Sequence, residues 1–184
     1  MIISLAGHQG AGKSTVGKML ADALGYCRYS TGDFFRELAR ERGMTLLEFN
    51  QSIEHDGGET DRIVDDRQRA MGENEDNFII DGRLAFHFIP HSFKIFLSVN
   101  ARVGVERLFH DRENLTRAGI DEHETIEEAI RDTEARRLSE SKRYLEYYGI
   151  DNLDTSHFDL VVDTSHKTPE EVFAEIMTAL PKSA

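Results

Sequence analysis

Gly7-His8-Gln9-Gly10-Ala11-Gly12-Lys13-Ser14 stands directly after the apolar run Met1-Ile2-Ile3-Ser4-Leu5-Ala6 and directly before a helical pattern. The spacing G-x-x-x-x-G-K-S is that of a P-loop. Its glycines take turn conformations closed to other residues, so that successive backbone N–H groups converge on phosphate oxygens at a helix N-terminus. Lys13 adds a point charge there, and Ser14 can place its hydroxyl on a magnesium ion held by the same phosphates. The strand-before, helix-after context separates the octet from a bland glycine turn. Gly7, His8, Gln9, Gly10, Ala11, Gly12, Lys13, Ser14 and the following Thr15 are therefore expected to hold a nucleoside triphosphate.

Outward from this loop, apolar runs alternate with amphipathic stretches. Strands are predicted over Ile2 to Ala6, Cys27 to Ser30, Phe78 to Asp81, Phe93 to Val99 and Asp159 to Asp163, short and rich in Ile, Val and Phe as in a buried parallel sheet. After the P-loop, Val16, Met19, Leu20, Ala23 and Leu24 fall on one helical face that Gly25 closes. A second helix from near Asp33 is expected to bury Phe34, Phe35, Leu38 and Ala39 and to stop at Gly43. Thr45 to Glu48 reads as a capping box, Glu54 to Glu59 as a loop, and Asp61 to Met71 as a charged helix. Ser98 or Asn100 can start a helix carrying Val103, Leu108 and Phe109, after which Glu113 to Glu124 reads as a mobile loop. A capping box at Thr125 to Glu128 opens a long, heavily charged helix to about Tyr147, and Thr168 to Glu171 caps a last helix that faces Val172, Phe173, Ile176, Met177 and Leu180 inward. The alternation predicts a doubly wound α/β fold with ligands at the carboxyl ends of the strands.

The 184 residues suit one domain, and 39% hydrophobic content argues against disorder. A single cysteine, Cys27, excludes an internal disulfide; it is expected to be a packed thiol in a core strand. No leader and no apolar stretch of membrane-spanning length is apparent, so the protein is expected in the cytoplasm, without a membrane partner. The net charge of −12 disfavours nucleic acid and makes any cluster of arginines informative. His87 and His91 flank Pro90, which breaks the helix a zinc pair would need.

At the predicted crevice, Asp81 ends an apolar strand, where a carboxylate can orient magnesium-bound water beside Ser14 or simply cap the next turn. Arg83 follows at once, and Arg36 lies one turn into the helix leaving the second strand. Two planar guanidiniums there suit the phosphate of an acceptor, although a surface ion pair gives the same pattern. Arg107 and Arg112 lie on the helix after the fourth strand. Arg136, Glu140 and Arg143 share one face of the long helix, either as a lid that neutralises a moving phosphoryl group or as a solvated ladder. Tyr144, Tyr147 and Tyr148 can anchor that helix or stack a base.

These residues resemble the nucleoside monophosphate kinases, with the closest likeness to the short cytidylate kinases typified by archaea. The resemblance rests on the P-loop, Ser30-Thr31-Gly32-Asp33-Phe34-Phe35-Arg36, Asp81-Gly82-Arg83-Leu84-Ala85, Ser139-Glu140-Ser141-Lys142-Arg143-Tyr144 and Val162-Asp163-Thr164-Ser165. It implies a P-loop NTP hydrolase-type fold in one domain over 1–184, with a five-stranded parallel sheet, a monophosphate-binding segment over about 31–72 and a lid over about 112–144. It implies ATP and Mg²⁺, a reaction phosphorylating CMP or dCMP, and a monomer whose partners are nucleotides. Carried over by position, Gly32, Asp33, Arg36, Asp81, Gly82, Arg83, Arg136, Glu140 and Arg143 hold the monophosphate. Lys13, Arg83, Arg112, Arg136 and Arg143 act on the transferred group, Arg107, Thr164 and Ser165 meet the adenine of ATP, and Ser14 and Asp81 meet the metal. Another small P-loop kinase, acting on AMP, UMP or a metabolite, is the alternative, with a nucleotide-switch module behind it. His8-Gln9 replaces a pair of prolines commoner in that family, and Lys13 stands where some short archaeal relatives have threonine.

Overall fold

The computed structural model describes residues 1–45, 48, 49, 52, 58–110 and 125–181, leaving aside the side chain of Arg136. Five strands, β1 (Ile3–Gly7), β2 (Cys27–Ser30), β3 (Phe78–Asp81), β4 (Phe93–Ser98) and β5 (Leu160–Asp163), form one sheet in the order β2-β3-β1-β4-β5. All four pairings are parallel, as crossover helices require. Those helices are α1 (Lys13–Leu24), α2 (Thr31–Glu41), α3 (Glu59–Asn74), α4 (Ala85–Phe88), α5 (Ala101–His110), α6 (Ile126–Tyr148) and α7 (Pro169–Ala179). Each predicted strand lies within one residue of its observed bounds at either end.

The sheet is covered on both faces, and β1 is buried over its first four residues. Ile3 and Leu5 point into a cluster with Val16 and Leu20 of α1 and Val172 and Ile176 of α7. Ile2 and Ala6 face the other way, into clusters built by α2, α3 and α4. Helix caps agree with the sequence: Thr168 and Glu171 form a reciprocal capping box, Thr125 accepts from the Glu128 N–H, and Gly25 closes α1 in the left-handed conformation. Thr45 and Glu48 cap each other reciprocally as well. Asn100, rather than Ser98, starts α5, its Oδ1 accepting from the Arg102 N–H at 3.0 Å.

Three expectations change. Cys27 is exposed, because β2 is an edge strand and lies at the margin of the core. On α1 the buried alanine is Ala21 and not Ala23, so the packed stripe runs through Val16, Gly17, Leu20 and Ala21. The helix predicted over Asp61 to Met71 starts at Glu59 and runs to Asn74. The predicted loop over 113–124 lies outside the described residues, as does most of the one over 54–59. Among the described residues, no helix is long and apolar enough to cross a membrane.

Candidate active site

The carboxyl ends of β1, β2 and β3 open on a cleft of about 750 Å³, walled by the P-loop, α2, α3 and α6. The P-loop is held in place at two levels. Gly10 and Gly12 adopt φ of 71° and 85°, and Gly12 caps α1 in the left-handed region. Behind the loop, α5 approaches so closely that a Cβ on Gly10 would lie 2.2 Å from the Gly104 carbonyl oxygen. Gly104 is thus a position the sequence reading missed, and its role appears only in this backbone contact.

Lys13 lines the cleft and folds back over its own loop, its Nζ donating to the carbonyl oxygens of Gly7 at 3.0 Å and His8 at 2.8 Å. Burial pushes its pKa down; Asp81 and Glu140 oppose that and Arg83 adds to it. Asp81 is raised by burial, against the pull of Lys13, Arg28 and Arg83. Arg28, on the edge strand, is a second cation the sequence reading passed over. Asp81 and Ser14 offer a carboxylate and a hydroxyl, hard oxygen donors that fit magnesium.

Across the cleft Arg83 pairs with Glu140 at 2.9 Å, which brings the loop after β3 against α6. Arg36 lines the same cleft and is tied to Asp33, which is itself exposed. Gly32 and Gly82 line the floor, where a side chain on Gly82 would collide with Thr31. Arg143 also reaches the cleft, stacked over the Tyr144 ring at 5.5 Å. Arg112 and the side chain of Arg136 lie outside the described residues.

Among the described side chains of α6, Arg137 meets the P-loop, a residue the sequence reading did not single out. Its Nη1 lies 3.4 Å from His8 Nε2, while Nδ1 of that ring lies 3.2 Å from the Val99 carbonyl oxygen. A guanidinium can only donate, so Nε2 accepts from Arg137, while Nδ1 sits against both the carbonyl oxygen of Val99 and its N–H, the latter at 3.3 Å. Burial, with Arg137 and Lys13 nearby, holds the His8 pKa below its ordinary value against the raising effect of the Val99 hydrogen bond. Because Arg137 precedes Glu140 by three residues, the spacing to that glutamate was the available signal.

Arg107 lies outside this wall of the cleft. It donates to the Thr164 carbonyl at 2.7 Å and the Thr164 hydroxyl at 3.3 Å, and so pins the turn after β5. Ser165 holds that turn too, accepting from the Asn100 N–H at 2.9 Å. Arg107, Thr164 and Ser165 thus tie α5 and its cap to the turn after β5.

A model of the cytidylate kinase-like family matches residues 2–166. A cytidylate kinase of Methanocella arvoryzae is 38% identical over 180 residues, covering 98% of this chain and 97% of that protein. Another, of Thermoplasma volcanium, is 39% identical over 184 residues, covering 98% and 91%. Among solved structures, shikimate kinase from Acinetobacter baumannii in complex with shikimate superposes with a TM-score of 0.61 at 17% identity, covering 96% of this chain and 90% of that one. An uncharacterized protein from Eubacterium ventriosum gives a TM-score of 0.66 at 15% identity, covering 97% and 96%. At such identities the likeness is one of fold, that of P-loop kinases. The sequence match, by contrast, spans nearly the whole chain at more than a third identity: this chain belongs to the cytidylate kinase-like family.

Proposed function

We propose that the protein transfers the γ-phosphoryl group of ATP to the 5′-phosphate of CMP or dCMP, giving ADP and the diphosphate. The observation that carries this reading is the convergence of Lys13, Arg36, Arg83 and Arg137 from four separate parts of the chain on one cleft, with the P-loop at one end. Two anions brought end to end need such a positive lining, the more so in a chain of net charge −12.

The P-loop amides and Lys13 hold the donor phosphates, and Lys13 exchanges its carbonyl contacts for phosphate oxygens. Arg36 and Arg83 bind the acceptor phosphate, Arg83 turning from Glu140 to a more highly charged partner. Arg137, Arg143, Arg136 and Arg112 supply positive charge from the lid, and Arg107 with Thr164 and Ser165 borders the adenine. Ser14 and Asp81 would hold magnesium, which neutralises charge on the donor phosphates when bound. The acceptor is ionised near neutral pH, so positioning and electrostatics suffice and no covalent intermediate forms.

A coupled assay with ATP and magnesium against CMP, dCMP, UMP, AMP, GMP and shikimate in parallel tests the reading. Turnover is expected to be greatest with CMP or dCMP. Turnover confined to AMP or shikimate would move the protein to another P-loop kinase reaction.

A further inference from the structure

Helix α3 turns Asp61, Val64, Asp65 and Gln68 to the cleft, the i, i+3, i+4, i+7 spacing of one helical face. Two of these side chains are buried in a way their own packing does not account for. Gln68 is 2% exposed, and its Nε2 donates to the Val64 carbonyl oxygen at 3.4 Å. That bond fixes the amide, since the flipped group would set oxygen against oxygen. Gln68 Oε1 is then a buried acceptor with no hydrogen bond, a state proteins rarely leave without a reason.

One turn back, Asp65 is 7% exposed. The Tyr148 hydroxyl donates to its Oδ2 at 2.6 Å, so Oδ1 keeps its lone pairs for another donor. Arg69, one turn on, offsets this carboxylate's charge only from a distance, because its own guanidinium donates to Asp66 and stacks on Phe88. Two acceptors, a carboxylate oxygen and an amide oxygen, are therefore presented on adjacent turns of one cleft wall. Val64, Tyr144 and Tyr148 give that wall the apolar surface an aromatic ring needs.

We propose that Asp65 and Gln68 form an acceptor pair that reads the exocyclic amine of cytosine, so that α3 selects an amino pyrimidine over a keto pyrimidine. The inference rests on the reading that the acceptor is a pyrimidine monophosphate. Cytosine presents two N–H donors at position 4. Uracil presents a carbonyl oxygen there, which would face two acceptors, and the mismatch works as rejection as well as lost attraction. Tyr148 is the positioning residue, because its hydroxyl fixes which carboxylate oxygen meets the base.

The experiment compares kcat/KM for CMP and for UMP in the wild type, Asp65→Asn and Gln68→Met, with the KM for ATP and the thermal midpoint of each variant as controls on folding. Each substitution is expected to lower kcat/KM for CMP at least tenfold while that for UMP holds or rises, with KM for ATP unchanged. CMP and UMP falling together, or a ratio that does not move, would overturn the base-reading role. No turnover of CMP by the wild type would instead sink the kinase reading on which it rests, and the two failures are thereby distinguished.

Discussion

At the scale of single residues, Arg83 and Lys13 should fail in different ways. Arg83 meets a charged partner even without ligand, Glu140 at 2.9 Å, and hydrogen bonds to charged groups contribute roughly 1.5–3 kcal/mol. Arg83→Ala is therefore expected to raise KM for CMP about tenfold to a hundredfold. On the proposed mechanism Lys13 meets charge that develops during transfer, so Lys13→Ala is expected to lower kcat by roughly 10²–10³-fold. Steady-state kinetics checks both, and an unchanged KM for CMP in Arg83→Ala contradicts the assignment. Asp65 gives a pH prediction. Burial, aided by Asp61 and Asp66 and opposed by Tyr148 and Arg69, pushes its pKa from 3.8 up to about 6. A folded-state value above the unfolded one means stability that is full at low pH and is lost as pH rises through about 6, here on the order of 2–3 kcal/mol. Asp65→Asn removes that loss: its urea midpoint should exceed the wild type's at pH 8 and approach it at pH 4.5. Such a carboxylate opposes folding at neutral pH, the signature of a residue kept for a ligand. Lys13 could be placed from sequence because its neighbours in the chain are its neighbours in space. Asp65 and Gln68 could not, since α3 carries eight charged residues and nothing local separates a buried aspartate from a solvated one. Arg137 shows the same limit, since nothing local separates it from the other arginines of α6.

Whole elements were far easier to read. Strand runs, caps and glycine stops are local signals, and α1, α6 and α7 end or begin where those signals stand. What the chain does not announce is contact between elements. The exposure of Cys27 follows from β2 lying at the sheet edge, a fact of strand order. Gly104 likewise matters only because α5 packs on the P-loop, its missing side chain leaving room for the Gln9 carbonyl oxygen 2.8 Å from where a Cβ would sit. Gly104→Val should push the loop out of register, lower stability by roughly 1–3 kcal/mol and raise KM for ATP more than KM for CMP. Chemical unfolding and initial rates measure the two effects. If KM for CMP rises instead, α5 does not support the donor side.

For the molecule as a whole, the site is shared among parts that meet only when the chain is folded: the P-loop, α2 and α3, and α6. A ligand spanning them should stabilise far more than a ligand touching one part. At a hundred times its dissociation constant, any single ligand adds about 2.7 kcal/mol. A dinucleoside polyphosphate joining adenosine to cytidine should reach a given thermal shift at a much lower concentration than ATP or CMP alone. Equal concentrations for all three would mean the two nucleotides do not lie in one cleft.

Helix α6 gives this arrangement a mechanical character. Near its start, Ala129 packs among Val105 and Leu108 of α5, the helix that backs the P-loop; at its last residue, Tyr148 is bonded to Asp65 of α3. About 28 Å of helix thus rests as a beam on two bearings, one against the helix behind the P-loop and one against α3. A load taken up at either bearing tilts the other, so occupancy by ATP and by its acceptor should each tighten the other by the same factor.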